Sequence, residues 1–240
     1  MLDLIGAVVG MSAVGINLVA LTHALPGTLA HRLTLGAIAG AWVGLASGLG
    51  AAGELAFSPE QPLPLIAVLF ALPLLAVGAL ALASGRVRAA LMAVPLPLLI
   101  GVNSLRVLGV LFLLLAASRR LSGPFPYSAG IGDIITGVVA LPLALSMARS
   151  GRLPAVAVRR WNIFGTVDLI AAVALGLTSA AGSPLQVIHA GAGSQAMQYL
   201  PYCLIPTVLV PFYLITHAIV AAQLAAARAA NATLHRRVSA

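Results

Sequence analysis

An all-α integral membrane bundle of seven spanning helices is the fold this sequence predicts. It is expected as one domain over residues 1–240, with the N-terminus outside and the C-terminus cytoplasmic. Three observations carry that expectation. Of the 240 residues 61% are hydrophobic and only 8% are charged, where a water-soluble domain carries about 25% charged residues. The apolar residues fall into runs near the ~20 residues that a helix needs to cross the hydrocarbon core. Short connections rich in Gly, Pro and Ser separate the runs, which leaves no length for a second, soluble domain.

The runs can be justified in order. The first, Leu2 to Thr22, opens on Met1-Leu2-Asp3; an acidic start lacks the basic n-region of a cleavable signal, so it reads as a retained span. Pro26-Gly27 turns the chain into the second, Leu33 to Gly53, where Gly36, Gly40, Gly44 and Gly48 predict close helix packing. Ser58-Pro59 and Pro62 lead to the third, Leu63 to Ser84. After Ser84-Gly85 the fourth, Ala89 to Ala117, is bent by Pro95 and Pro97. Ser122-Gly123-Pro124 precedes the fifth, Tyr127 to Met147, and Ser150-Gly151 leads toward the sixth, Ile163 to Ala181. Trp161 stands just before that run, where a Trp is expected as an interfacial anchor. Beyond the only long connection, Ala180 to Gln198, the seventh run extends from Tyr199 to Ala227. Its Pro201, Pro206 and Pro211 predict a kinked or broken outer half with freed carbonyls, hence a cavity wall.

Charge narrows the class further. All 13 basic residues are Arg, against five acids, for a formal charge of +8. In a soluble domain such a balance suggests nucleic acid. Here the Arg residues stand mostly in short loops between apolar runs, so the expected partner is the lipid bilayer, with no nucleic acid. With the N-terminus outside, Arg32, Arg86, Arg88, Arg149, Arg152, Arg159, Arg160, Arg228, Arg236 and Arg237 are cytoplasmic, and only Arg119 and Arg120 are external. That asymmetry fits the positive-inside rule and a bacterial inner, or cytoplasmic, membrane. Glu54 and Glu60 then fall outside. The lack of Lys excludes a retinal Schiff base, and the single Cys203 excludes an internal disulfide, a CxxC pair and a cysteine metal cluster. No Walker loop, dinucleotide fingerprint, HExxH motif or nucleophile elbow occurs, and no resident cofactor or metal is expected.

Function is sought in the polar groups that the apolar runs carry at a cost. A charge at the centre of a spanning helix costs about 2.5–3.5 kcal/mol on insertion scales, and such groups mark pathways or pairs. Arg106 in the fourth run, Asp133 in the fifth, Asp168 in the sixth and His217 in the seventh stand out, with Asn103 one turn before Arg106. Helix rise predicts two stations: Arg106 with Asp133 in the outer half, and Asp168 with His217 in the inner half, near Asn17 and His23. The first pair reads as a structural ion pair or a functional one. The second joins a carboxylate to an imidazole, which suits proton exchange. The resulting expectation is a transporter of a small solute or of protons along Asn103, Arg106, Asp133, Asp168 and His217. The alternative is a membrane-embedded enzyme, or a haem- or metal-binding membrane protein, using Asp133, Asp168 and His217. In the latter, Thr22-His23-Ala24 and Thr216-His217-Ala218 suggest paired imidazoles from the first and last helices.

Two resemblances accompany this reading. Gly130-Ile131-Gly132-Asp133 resembles the GxGD motif of intramembrane aspartyl proteases such as the presenilin and prepilin peptidase families. In those enzymes the second catalytic Asp precedes the motif, whereas Asp168 follows it here. A longer pattern is similar to a group of uncharacterised bacterial polytopic membrane proteins. It consists of Arg106-xx-Gly109, Gly132-Asp133-xxx-Gly137, Trp161-Asn162-xx-Gly165-xx-Asp168-Leu169, and Leu200-Pro201 through Pro211 to His217. That similarity implies that the four ionisable residues belong to one pattern, and it brings no activity.

Overall fold

The computed structural model describes residues 1–58 and 64–238, with the backbone alone for residues 231 and 233–238. The Pro59–Pro62 turn with Glu60 lies outside the described residues, as do the side chains of His235, Arg236 and Arg237. The described chain is mostly helical, with no strand among the described residues. Helices α1 (Leu2–Ala24), α2 (Leu29–Ala52) and α3 (Leu65–Ala83) are followed by the short α4 (Gly85–Met92). A composite span comes next: α5 (Leu96–Gly101), a 3-10 helix (Val102–Gly109) and α6 (Val110–Ala117). Then come α7 (Phe125–Ser150), α8 (Ala155–Ser179), a 3-10 turn (Gln195–Gln198), a π turn (Ile205–Leu209) and α9 (Val210–Val238). Seven stretches are long and apolar enough to cross a membrane. The exterior is correspondingly apolar, with Leu4, Val8, Leu75, Leu82, Val138 and Val167 exposed, so the chain has the build of a multi-pass membrane protein.

Two boundaries move relative to the sequence expectation, and both matter at the centre. The sixth helix starts at Ala155, directly after Pro154, rather than at Ile163. Eight residues are about 12 Å of helix, so Asp168 becomes the fourteenth of the 25 residues of α8. Trp161 is thereby drawn off the helix end into the core, at 5% exposure, and does not act as an interfacial anchor. The fourth span begins at Leu96 rather than Ala89, because Pro95 and Pro97 break the helix. Arg106 is then the eleventh of the 22 residues Leu96–Ala117, at the midpoint and not beyond it.

Side chains of other helices close both proline breaks. Gln223 Nε2 donates to the Met92 carbonyl at 3.1 Å and to the Val94 carbonyl at 2.9 Å. In the seventh span Pro211 has no N–H for the carbonyl of Thr207; the indole N–H of Trp42 supplies one at 3.1 Å. The broken outer half expected from Pro201, Pro206 and Pro211 is a turn at Pro201 followed by a π turn over Ile205–Leu209, the single-turn form in which π geometry mostly occurs.

α7 is the hub, packed against α5, the 3-10 helix, α6 and α8. At one end of the bundle Asp3 pairs with Arg120 at 2.5 Å, and the Tyr202 hydroxyl donates to the Leu2 carbonyl at 3.0 Å. These contacts put the start of α1, the α6–α7 link and the approach to α9 together. The long connection folds over this end. Ser122 binds the Ala190 carbonyl and the Gly193 N–H, and Ser194 Oγ donates to the Gly176 carbonyl at 2.6 Å. The glycine stripe of α2 does not pack as expected: a Cβ at Gly36, Gly40, Gly44 or Gly48 would meet nothing within 4 Å. α2 turns Val43, Ala46 and Gly50 inward instead, and Gly50 is the close approach, with Cys203 Sγ occupying the place of a side chain.

Candidate functional site

The 3-10 winding of Val102–Gly109 sets up the centre of the molecule. With three residues per turn, positions i, i+3 and i+6 fall in line, so Asn103, Arg106 and Gly109 share one face, and all three are buried. Gly109 has no side chain because Asp133 Cβ and the Gly130 carbonyl lie 2.5 and 2.8 Å from where one would stand. Gly137 faces the Val107 amide in the same way at 2.6 Å. Small residues on both sides let α7 lie against the 3-10 helix and bring Asp133 to Arg106.

Arg106 is 2% exposed and is the largest fully buried side chain. Its Nε donates to Asp133 Oδ1 at 2.7 Å, and its Nη2 donates to Asp168 Oδ2 at 2.6 Å. Nη1 donates to the Gly165 carbonyl at 3.3 Å and lies 3.0 Å from His217 Nε2. A guanidinium only donates, so His217 Nε2 is the acceptor in that contact. Nδ1 therefore carries the ring proton and donates it to Asn162 Oδ1 at 2.8 Å. The ring is fixed further by Trp161, at 4.9 Å between centroids, whose Nε1 donates to the Thr136 carbonyl at 3.0 Å. Gly165 leaves room for the imidazole: a Cβ there would stand 2.6 Å from Cε1.

Tyr213 completes the enclosure. Its ring lies 5.7 Å from the Arg106 guanidinium carbon, a cation–π distance, and its hydroxyl accepts from Asn17 Nδ2 at 3.0 Å. Asn103 Nδ2 donates to the Leu99 carbonyl at 2.9 Å and to Thr216 Oγ1 at 3.2 Å, one position before His217. Six segments thus contribute to one polar centre: α1, α5, the 3-10 helix, α7, α8 and α9.

The expected contact between Arg106 and Asp133 is present. The expected pair of Asp168 with His217 is not: Asp168 pairs with Arg106, and His217 faces Arg106 and Asn162. The two stations merge into one because the true starts of the fourth span and of α8 set Arg106 and Asp168 at the same level. His217 has both ring nitrogens engaged inside the cluster, with Arg106 and with Asn162. The described residues hold no group of three or more His, Cys, Asp or Glu fit to bind a metal ion. Tyr213, Asn162, Trp161, Thr136 and Thr216 were not singled out as site residues from the sequence. Their signal was helical spacing to the ionisable residues: Tyr213 is four before His217, Thr136 three after Asp133, and Trp161 seven before Asp168.

Both carboxylates reach an opening. Asp133 and Arg106 border a cleft of about 40 Å³ shared with Gly6, Gly10, Tyr202 and Tyr213. Asp168 borders a separate groove of about 400 Å³ between α7 and α8. Each carboxylate gives one oxygen to the guanidinium, so the centre holds one fixed positive charge for two acids.

The chain belongs to the family described as a domain of unknown function (DUF8737), which matches residues 63–225. The match takes in the whole centre except Asn17. No curated protein matches the chain, and no solved structure does.

Proposed function

We propose that this chain is a carrier of the bacterial cytoplasmic membrane, N-terminus outside and C-terminus inside, that couples protons to the movement of a small solute through its polar centre. One observation carries the reading: a single guanidinium joins carboxylates from two different helices, and each carboxylate borders its own opening. A buried ion pair that only locks helices needs one acid per base. Here the second acid leaves a surplus negative charge, which a proton or a cationic solute balances. A proton on either carboxyl leaves the other paired with Arg106, so the centre has two equivalent ways to be neutral and can pass charge between its openings. The orientation rests on the ten Arg residues assigned to one face against two on the other.

The other chemistries find less support. An aspartyl hydrolase needs two carboxyls sharing one proton, whereas Asp133 and Asp168 are joined through Arg106. A haem needs a free imidazole nitrogen, and both nitrogens of His217 are engaged.

Proteoliposomes containing a pH-sensitive dye test the proposal. Under an imposed pH gradient, Asp133→Asn and Asp168→Asn should each lower proton entry at least tenfold, while Asp3→Asn at the bundle end stays within twofold of wild type. Wild-type proton entry in both central variants would sink the reading.

A further inference from the structure

Among the described residues, one oxygen of Asp168 receives no donor. Oδ2 holds Arg106, but Oδ1 has no donor among the described residues and leans over Gly132, where a Cβ would collide with it. Gly132 and Asp168 both line the groove between α7 and α8, so this glycine is what leaves the carboxylate open to it. The walls are Ile131, Ile135, Phe164 and Val167, each about half exposed on the outside of the bundle. Tyr127 and Ser128 stand toward one end. The site is thus an apolar trough, open sideways, with one acidic oxygen at its base.

We infer that this groove binds an organic amine with an apolar body, the nitrogen on Asp168 Oδ1 and the body along Ile131, Ile135, Phe164 and Val167. Charge selects the nitrogen, because the centre has one acid more than it has bases and an anion would add to the surplus. Depth selects the body. Asp168 is the fourteenth of 25 residues in α8, so a lipid headgroup at the membrane surface lies too far away, and the ligand must dissolve in the hydrocarbon. Such an amine enters uncharged. At the groove the Asp168 carboxyl proton passes to it, one O–H bond breaking and one N–H bond forming, which leaves an ammonium paired with a carboxylate. The inference names the solute class for the proposed carrier and rests on that reading for its role in transport.

The test uses the full chain in lipid nanodiscs, with tritiated 4-phenylbutylamine and 4-phenylbutan-1-ol as probes and empty nanodiscs as blank. Wild type should bind the amine at least tenfold more tightly than the alcohol. Asp168→Asn should erase that preference. Ala171→Trp, on the groove wall one turn from Asp168, fills the groove while leaving Arg106 and both acids in the sequence, and it should abolish amine binding while keeping the wild-type melting temperature. Equal affinity for amine and alcohol, or undiminished amine binding in Ala171→Trp, overturns the inference. Proton entry into proteoliposomes from the same preparations separates the two readings. Flux without amine preference removes only the amine site, and amine preference without flux keeps the site while removing the carrier.

Discussion

The Arg106 centre and the two proline breaks are both polar places inside an apolar bundle, yet they differ in how completely they are satisfied. At the breaks the polarity is backbone, and it closes: Gln223 serves Met92 and Val94, and Trp42 serves Thr207. Each side chain that reaches in ends on a carbonyl at a proline break, and no charge is involved. At Arg106 the polarity is mainly side chain, drawn from five segments with a backbone carbonyl from a sixth, and the charges do not balance. A closed polar contact explains itself by the free energy of an unmade hydrogen bond. A centre with surplus charge does not, since removing one acid would make it simpler and neutral. The difference separates polarity that holds the fold from the polarity on which the proposed carrier function rests.

Arg106→Met should break the comparison most visibly. It strands two carboxylates without a counter-charge, a loss of about 3–5 kcal/mol for a buried pair with one partner removed. The expected result is a sharp fall in folded yield and in thermal stability in detergent. Combining it with Asp133→Asn and Asp168→Asn should recover most of the stability and none of the proton movement. If Arg106→Met alone is as stable as wild type, the charges are not coupled as the geometry requires. Arg106→Lys should not substitute, because an ammonium is a compact point charge and lacks the planar fork that spans two acids.

How much of this was legible in the sequence follows the same division. The seven spans and the four ionisable residues could be read because apolar runs and buried charges are properties of composition. The merging of two predicted stations into one could not, since it depends on where helices start. Pro154 starts α8 eight residues before its apolar run, through Val158 and a turn holding Arg159 and Arg160, which hydropathy assigns to a loop. Pro95 delays the fourth span by a similar length. The 3-10 winding that lines up Asn103, Arg106 and Gly109 was also hidden, because no residue in Val102–Gly109 demands it; the approach of Gly130 and Gly137 accompanies it. The glycine stripe of α2 misled for a related reason: spacing shows that a helix can be approached closely, not which face is.

Gln223→Leu sharpens the comparison from the other side. It leaves two carbonyls at the α4–α5 break without a donor, at a cost of about 1–3 kcal/mol, and should lower the melting temperature. Proton movement per folded molecule should stay at the wild-type rate, since Gln223 lies outside the charged centre. A variant that melts normally but loses flux would mean that the break itself takes part in transport, and the two regions could no longer be told apart by charge.

Trp42→Phe gives the smallest effect and the finest distinction. It removes one N–H from the Thr207 carbonyl and keeps an aromatic ring, so the expected loss is about 0.5–1.5 kcal/mol. Thr207 lies ten residues before His217 on the same final span, so a stiff helix would carry any disturbance toward the centre. The π turn argues that little arrives: an extra residue already interrupts the regular ladder there, and Cys203 O still accepts from Thr207 Oγ1 at 2.6 Å. Proton entry measured beside the melting temperature decides between these. A small stability loss with unchanged flux means that the π turn isolates the first part of the last span from Arg106. A loss of flux out of proportion to stability means that the Trp42 contact sets the position of His217, and that the neutral and charged regions work as one.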